Sequence, residues 1–312
     1  MNKLIKEFLD FLEISIKRLN SFKPLYFSNF ENLKLLKRGK VRDIYDLGDA
    51  LLLVSTDRIS AFDVILPTPI PFKGMILNMI SYFWFDYFKK LLPNHLITAN
   101  VDEFPSECGR YKEELRFRSM LVRKLNIYGI ECIVRGYLAG SGYEEYKKSK
   151  SICGITLPEG LVMSSKLPQP IFTPSTKQDI GHDENITFDE AKNVVGDVIY
   201  KIRDFSIGIF NSASKYLEER GIILCDTKFE FGYSQSEDVV LVDEVLTPDS
   251  SRFWFKELYQ EGKPQESYDK QFVRDYLKTL NWNKTYPGPD LPDWVVRNTL
   301  DRYATIFKKI VG

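Results

Sequence analysis

Residues 221–254 read GIILCDTKFEFGYSQSEDVVLVDEVLTPDSSRFW, and this stretch decides how the rest of the chain is read. The apolar run Ile222-Ile223-Leu224 leads into Asp226, Lys228 and Glu230, which alternate with Thr227, Phe229 and Phe231. Alternation at period two places the three charged groups on one face of a strand and the threonine and aromatics on the other. After a polar connection, residues 239–245 predict a second strand with Val239, Leu241, Asp243 and Val245 on one face. Paired as a hairpin, the two strands set Glu230 opposite Asp243. Two carboxylates ~4 Å apart repel by roughly 4 kcal/mol at an effective dielectric near 20. A face otherwise made of Leu and Val would not hold them without a cation. Lys228 can serve, but a bound Mg²⁺ fits better, because carboxylate oxygens plus substrate phosphates are its usual ligands. The plainer reading is a solvated charged face with a few surface ion pairs. The following turn, Thr247-Pro248-Asp249-Ser250-Ser251-Arg252, tips the balance, since it delivers an arginine suited to bidentate phosphate recognition beside the acids.

The chain has 312 residues, long for one core, with 44% hydrophobic and 28% charged residues, as in ordinary globular proteins. Formal net charge is zero with no block of like charge, which gives no electrostatic footprint for nucleic acid or an anionic membrane. Four cysteines (Cys108, Cys132, Cys153, Cys225) form no CxxC pair and have only His95 and His182 beside them, so buried reduced thiols are expected rather than zinc. Acids at positions 7, 10 and 13 interrupt any signal-peptide core, and no apolar run reaches membrane-spanning length. A cytoplasmic protein is expected.

Outward from the hairpin, Leu4, Phe8, Phe11, Leu12, Ile16 and Leu19 predict an amphipathic helix that docks on the body. Residues 33–55 read as a meander of short strands, with a basic turn at Arg38-Gly39-Lys40-Val41-Arg42 able to approach a phosphate. The polar stretch 56–63, TDRISAFD, resembles a functional loop. A buried helix is expected through Ile80, Phe83, Trp84, Tyr87, Phe88 and Leu91, and strands at 119–125 and 131–134. The second strand runs into Arg135-Gly136-Tyr137-Leu138-Ala139-Gly140-Ser141-Gly142, either an anion loop or a tight strand-to-helix turn. Residues 164–185 read as a long functional loop, and Thr187 to Glu190 as a capping box opening a helix that ends at Gly221. Two helices follow, near 268–280 and 294–310. The expected division is 1–128, a mainly antiparallel β lobe with an added N-terminal helix, and 129–312, an α/β lobe.

RGKVRDIYD, STDRISAFD, ECIVRGYLAGSG, PIFTPSTKQDIGHDENIT, DTKFEFG and LVDEVLTPDSSRFW, in this order, resemble the SAICAR synthase family of de novo purine synthesis, in its longer, yeast-like form. The likeness runs from about Leu33 to Gly312. It implies an α+β, two-lobe, kinase-like fold with ATP in the cleft. It also implies a ligase that joins carboxyaminoimidazole ribonucleotide (CAIR) to L-aspartate, with ATP and Mg²⁺, as a monomer or small homo-oligomer.

By the same resemblance Glu230 and Asp243 are Mg²⁺ ligands at the ATP site. Gly39, Lys40 and Arg42 form the turn over the ATP phosphates, and Arg123 and Leu125 belong to the strand that reads adenine. Arg135, Ser141 and Arg252 hold the ribonucleotide and its phosphate, Asp226 and Lys228 lie beside the imidazole and its carboxylate, and Lys177 is a catalytic lysine of a mobile loop. Asp57, Ser60, Asp63, Lys73 and His182 fall inside matching motifs without an assigned role. A kinase-like phosphotransferase explains the metal hairpin equally well but not the second anion site, and the chain has no HRD-like catalytic loop. A nucleotide-sensing module would tolerate the loss of one metal carboxylate, yet both are present.

Overall fold

Short leucine- and valine-rich runs broken by Gly39 and Gly48 fold as the expected meander. The computed structural model describes residues 2–177 and 184–312. β1 (Lys34–Arg38), β2 (Arg42–Asp46) and β3 (Ala50–Ser55), with β4 (Leu96–Thr98) and β5 (Ser119–Arg123), form an antiparallel sheet in the order β1-β2-β3-β5-β4. Its inner face buries Leu52 and Val54 against Phe30, Tyr45 and Leu115. This sheet belongs to a first compact unit made of Met1–Tyr87, His95–Lys124 and Asp269–Gly312.

The N-terminal helix Lys3–Ile16 is capped by the Asn2 side chain, which accepts from Leu4 N at 3.0 Å, and buries Ile5, Phe8 and Leu12. The Phe8 ring lies 5.1 Å from Phe117 and 5.0 Å from Phe307 of the helix Asp293–Val311. That contact explains why the chain's tail joins the first unit rather than following the sequence division at 128/129. The helix Lys73–Phe88 buries Ile76, Ile80 and Trp84 completely, whereas Tyr87 and Leu91, expected on the same stripe, are exposed.

The second unit, Phe88–Asn94 and Leu125–Tyr268, is built around β9 (Ile222–Tyr233). β9 pairs antiparallel with β6 (Asn126–Ile127), β7 (Ile130–Tyr137), β10 (Val240–Val242) and β11 (Ser251–Phe255), and β8 (Lys166–Thr176) flanks β7. The helix Ile199–Glu218 packs on this sheet through Ile202, Ile209, Phe210 and Leu217.

Three expectations change here. Residues 164–185 are not a structureless loop in their described part, because 166–176 form β8. Its prolines are tolerated because β8 is the edge strand of this sheet order, bonded on its outer side only at 174–176 among the described residues. The helix expected from 187 to 221 is broken: Phe188–Val195, opened by the Thr187–Glu190 capping box, stops at Gly196 (φ 79°), and a 3₁₀ turn precedes Ile199–Glu218. The strand expected at 239–245 is only three residues long, because Asp243 adopts a left-handed φ of 63°. The other expected tail helix spans Gln271–Lys278. All four cysteines are free and buried, and among the described residues no helix is long and apolar enough to cross a membrane.

Replacing Phe8 with Ala removes a fully buried ring between two others and should destabilise the first unit by about 3–5 kcal/mol. A urea midpoint unchanged from the parent protein would mean that the N-terminal helix only rests on the surface.

Candidate functional site

β9 presents Asp226, Lys228 and Glu230 on one face, and its neighbours bring each of them a partner. At one end the register sets Asp226 between Arg252 of β11 and Arg135 of β7. Asp226 Oδ2 accepts from Arg252 Nη1 at 2.5 Å and lies 3.7 Å from Arg135 Nη1. Arg135 is 2% exposed; its Nε donates to Thr173 Oγ1 at 3.0 Å and its Nη2 to Ser141 Oγ at 3.1 Å. Burial, opposed by Asp226 and reinforced by Arg252, lowers the Arg135 pKa, but a guanidinium starts so high that it stays charged. Two guanidiniums therefore meet at one carboxylate, beside a hydroxyl and the first turn of the helix Gly140–Ser149. That is the chemistry of a phosphate site.

Gly140 sits at the hinge of this cluster. Its φ is +54°, and a Cβ there would lie 2.3 Å from Arg252 Nη2, so the position needs glycine for both conformation and space. Of the two sequence readings of 135–142, the backbone is the tight strand-to-helix turn, and it still delivers an arginine and a hydroxyl to one place.

Farther along β9, acids gather round a lysine instead. Lys228 Nζ donates to Glu131 Oε1 at 2.5 Å and to Glu230 Oε1 at 3.0 Å. Lys177 Nζ donates to the other Glu230 oxygen, and Ser175 Oγ donates to Glu131 Oε2 at 3.3 Å. Asp243 is close enough to act on Lys228 electrostatically. Burial alone pulls the Lys228 pKa down, but Glu230, Glu131 and Asp243 outweigh it and hold the ammonium above its usual 10.5. Three carboxylates thus meet two ammoniums.

The expected register is corrected here. Glu230 faces Val242, and Asp243 follows one residue later with its backbone turned out of the pleat. Among the described residues no three acids, histidines or cysteines converge as a ready metal cage. Two hard carboxylates, Glu230 and Asp243, still have the donor chemistry that would hold Mg²⁺ together with substrate phosphates.

The remaining candidates divide between the units. Gly39, Lys40 and Arg42 lie at the β1–β2 turn of the first unit, where Lys40 Nζ pairs with Asp63. Arg123 ends β5, and its N–H is committed to the His95 carbonyl at 2.8 Å, while Leu125 opens the second unit. Asp57 and Lys73 are fully buried and Ser60 nearly so, which makes them framework rather than an exposed loop. His182 lies outside the described residues. The sequence reading passed over Glu131, Thr173 and Gly140. Glu131 sat inside a quoted motif, and only pairing of β7 with β9 reveals that it serves Lys228.

The sequence pattern of the family described as SAICAR synthetase matches residues 35–289. Phosphoribosylaminoimidazole-succinocarboxamide synthase of Desulfosudis oleivorans is 55% identical over 290 residues, covering 92% of this chain and 99% of that protein. The protein of the same name from Thermodesulfovibrio yellowstonii is 55% identical over 282 residues, 90% of this chain and 96% of its own. Among solved structures, SAICAR synthase from Saccharomyces cerevisiae complexed with SAICAR matches with a TM-score of 0.85 at 41% identity, covering 93% of this chain and 98% of that one. A SAICAR synthetase in complex with ADP matches with a TM-score of 0.64 at 26% identity, covering 88% and 97%. The greater likeness to the yeast structure agrees with the longer form expected from the motifs.

The Lys228 cluster makes a pH-dependent prediction. A lysine whose folded pKa is raised contributes its full stability below the unfolded value and loses it as pH climbs through the folded value. Glu131→Gln should therefore cost about 1–3 kcal/mol, evenly from pH 6 to 9, with the difference from the parent narrowing above the unfolded pKa of 10.5. Urea titrations across this range test it; a deficit that grows with pH would contradict the charge assignment.

Proposed function

The chain belongs to the SAICAR synthetase family of ATP-dependent purine-biosynthetic ligases, and we propose that it joins the carboxylate of CAIR to the amine of L-aspartate. The observation that carries this reading is one face of β9 with two arginines gathered at Asp226 and three carboxylates gathered round Lys228. Asp226 and Glu230 are four residues apart, ~13 Å along a strand. The arginine end suits the ribonucleotide phosphate, and the acidic end suits a magnesium–nucleotide complex. A substrate spanning them would bring its carboxylate to Lys228, between the two.

The chemistry follows from the reactants. A carboxylate cannot be displaced by an amine directly, because oxide is not a leaving group. Transfer of the γ-phosphoryl group of ATP to a CAIR carboxylate oxygen gives an acyl phosphate and ADP. The aspartate amine then attacks the carbonyl carbon, the C–N bond forms, the C–O bond to phosphate breaks, and the amine proton passes to solvent or to the departing phosphate. The protein's part is positioning and charge stabilisation.

Lys228 stays an ammonium throughout, so it neutralises the carboxylate and the transferring phosphoryl group and does not act as a base. Lys177 adds a second positive charge at Glu230. Asp226, held by two guanidiniums, orients the imidazole side of the ribonucleotide. Arg135, Ser141 and Arg252 bind its phosphate. Mg²⁺ on Glu230 and Asp243 would draw charge from the ATP phosphates. Gly39, Lys40 and Arg42 are assigned to the nucleotide phosphates, and the segment containing Arg123 and Leu125 to adenine, as the family resemblance implies. Four buried free thiols favour a reducing compartment, the cytoplasm.

Incubation with ATP, Mg²⁺ and CAIR, with and without aspartate, tests the whole reading. Steady ADP release is expected only with aspartate present; release indifferent to aspartate would indicate a phosphotransferase instead. Arg252→Ala should raise KM for CAIR about 10–100-fold with kcat within a few-fold, as lost uniform binding does. A shift in KM for ATP instead would reverse the two anion sites. Asp243→Asn should lower kcat about 10²–10³-fold while urea unfolding stays near that of the parent. Near-normal turnover would remove Asp243 from the metal site.

A further inference from the structure

Arg58 lies in the polar stretch 56–63, has no role in the chemistry above, and is fully buried. Its guanidinium faces the turn between β1 and β2. Nη2 donates to the Gly39 carbonyl at 3.0 Å and Nε to the Lys40 carbonyl at 3.1 Å. Nη2 also donates to Asp43 Oδ1 at 2.8 Å. Asp43 is itself fixed by Ser28, whose N and Oγ donate to its other oxygen at 3.0 and 2.7 Å. The next carbonyl, that of Val41, is taken by Thr56 through N at 2.9 Å and Oγ1 at 2.8 Å.

Three successive carbonyls of the turn are thus drawn onto the buried stretch 56–58. In a planar trans peptide the C=O and the following N–H point in opposite directions. Holding the Gly39 and Lys40 carbonyls inward therefore turns the amides of Lys40 and Val41 outward. Among the described residues neither amide has a hydrogen-bond partner. Successive N–H groups turned to one side make a concavity that binds anions. The turn is also tight at Gly39: a Cβ there would lie 3.2 Å from the Arg42 carbonyl, to which Gly39 N donates at 2.7 Å, so a side chain would have to push that carbonyl aside.

We infer that Arg58 is a positioning residue for the nucleotide: it fixes the peptide planes of Gly39 and Lys40 so that the turn presents two backbone amides to the phosphates. The inference rests on, and deepens, the reading that this turn covers ATP. A guanidinium is required because its planar fork serves three carbonyls, those of Tyr26, Gly39 and Lys40, and a carboxylate at once, which a lysine ammonium on a flexible stem does not.

The test compares ADP dissociation constants by calorimetry across folded variants of the full chain. Arg58→Met would strand the Asp43 carboxylate, so it is made together with Asp43→Asn; Arg58→Lys is made alone. Arg118→Met controls for loss of a buried arginine, since Arg118 pairs with Asp57 at 3.3 Å and does not touch the turn. Lys40→Ala with Arg42→Ala tests the turn itself. The inference expects at least tenfold weaker ADP binding in the Arg58→Met/Asp43→Asn variant, partial recovery in Arg58→Lys, and KM values for CAIR and aspartate within twofold of the parent. Arg118→Met should lose stability yet bind ADP within twofold. If the turn variant binds ADP weakly but both Arg58 variants bind within tenfold of the parent, Arg58 does not position the turn. If the turn variant itself binds ADP normally, the turn is not the phosphate cover and the inference fails with that reading. Failure of both Arg58 variants to fold while Arg118→Met folds assigns Arg58 a purely structural role and likewise overturns it.

Discussion

One strand face carrying Asp226, Lys228 and Glu230 inside a sheet is the constraint on which the second unit depends. Each of these groups would be costly to bury alone, and each is tolerable only if a neighbouring strand brings an opposite charge to the right register. β7 and β11 do this for Asp226 with Arg135 and Arg252, and β7 does it again for Lys228 with Glu131. A slip of one residue in either pairing would put these side chains on the opposite face. The charges therefore select the register as strongly as the hydrophobic core does, with Phe229 and Phe231 buried on the other side.

The first unit solves a related problem with backbone instead of side chains. Its buried ion pairs, Arg58–Asp43 and Arg118–Asp57, contribute little net stability over an apolar core of equal volume. What they provide is geometry. Asp57 accepts from the amides of Leu25 and Gly74 at 2.8 and 2.9 Å, tying the start of the helix Lys73–Phe88 to the stretch that carries Arg58. Strand turn, helix start and buried loop are thereby held by a short chain of charge-assisted bonds. Loss of any one leaves an unpaired buried charge, which is why such positions accept substitution poorly.

The α+β class, the β1–β3 meander and the charged face of β9 were legible because alternation at period two is a local property. Arg135, Ser141, Arg252 and Asp226 do converge, as the family resemblance implied, whereas Glu131 and Thr173 stayed hidden because their role exists only across strands. The stretch 56–63 misled in an instructive way. Its polar side chains suggested a functional loop, but Thr56, Asp57 and Arg58 are buried and satisfied by backbone groups from three separate segments. Polarity in sequence does not distinguish a side chain that meets solvent from one that replaces solvent for buried carbonyls and amides. The break at Gly196 was invisible for a different reason: apolar periodicity resumes on its far side, so the pattern alone reads as one helix.

Asp243 shows how a departure from regular structure can serve the site. The expected hairpin has it on the same face as Leu241 in an extended strand opposite Glu230, with two carboxylates at cross-strand distance. Instead β10 ends at Val242 and Asp243 turns left-handed, a conformation that aspartate tolerates better than most residues and that costs of order 1 kcal/mol. With Val242 paired to Glu230, an extended Asp243 would fall opposite Phe229 on the apolar face; the left-handed turn breaks that alternation, and Asp243 stays within electrostatic reach of Lys228. Compared with the several kcal/mol of burying an unpaired charge on that apolar face, the strain is the smaller term. The left-handed backbone is thus the cheaper way to keep Asp243 beside Lys228.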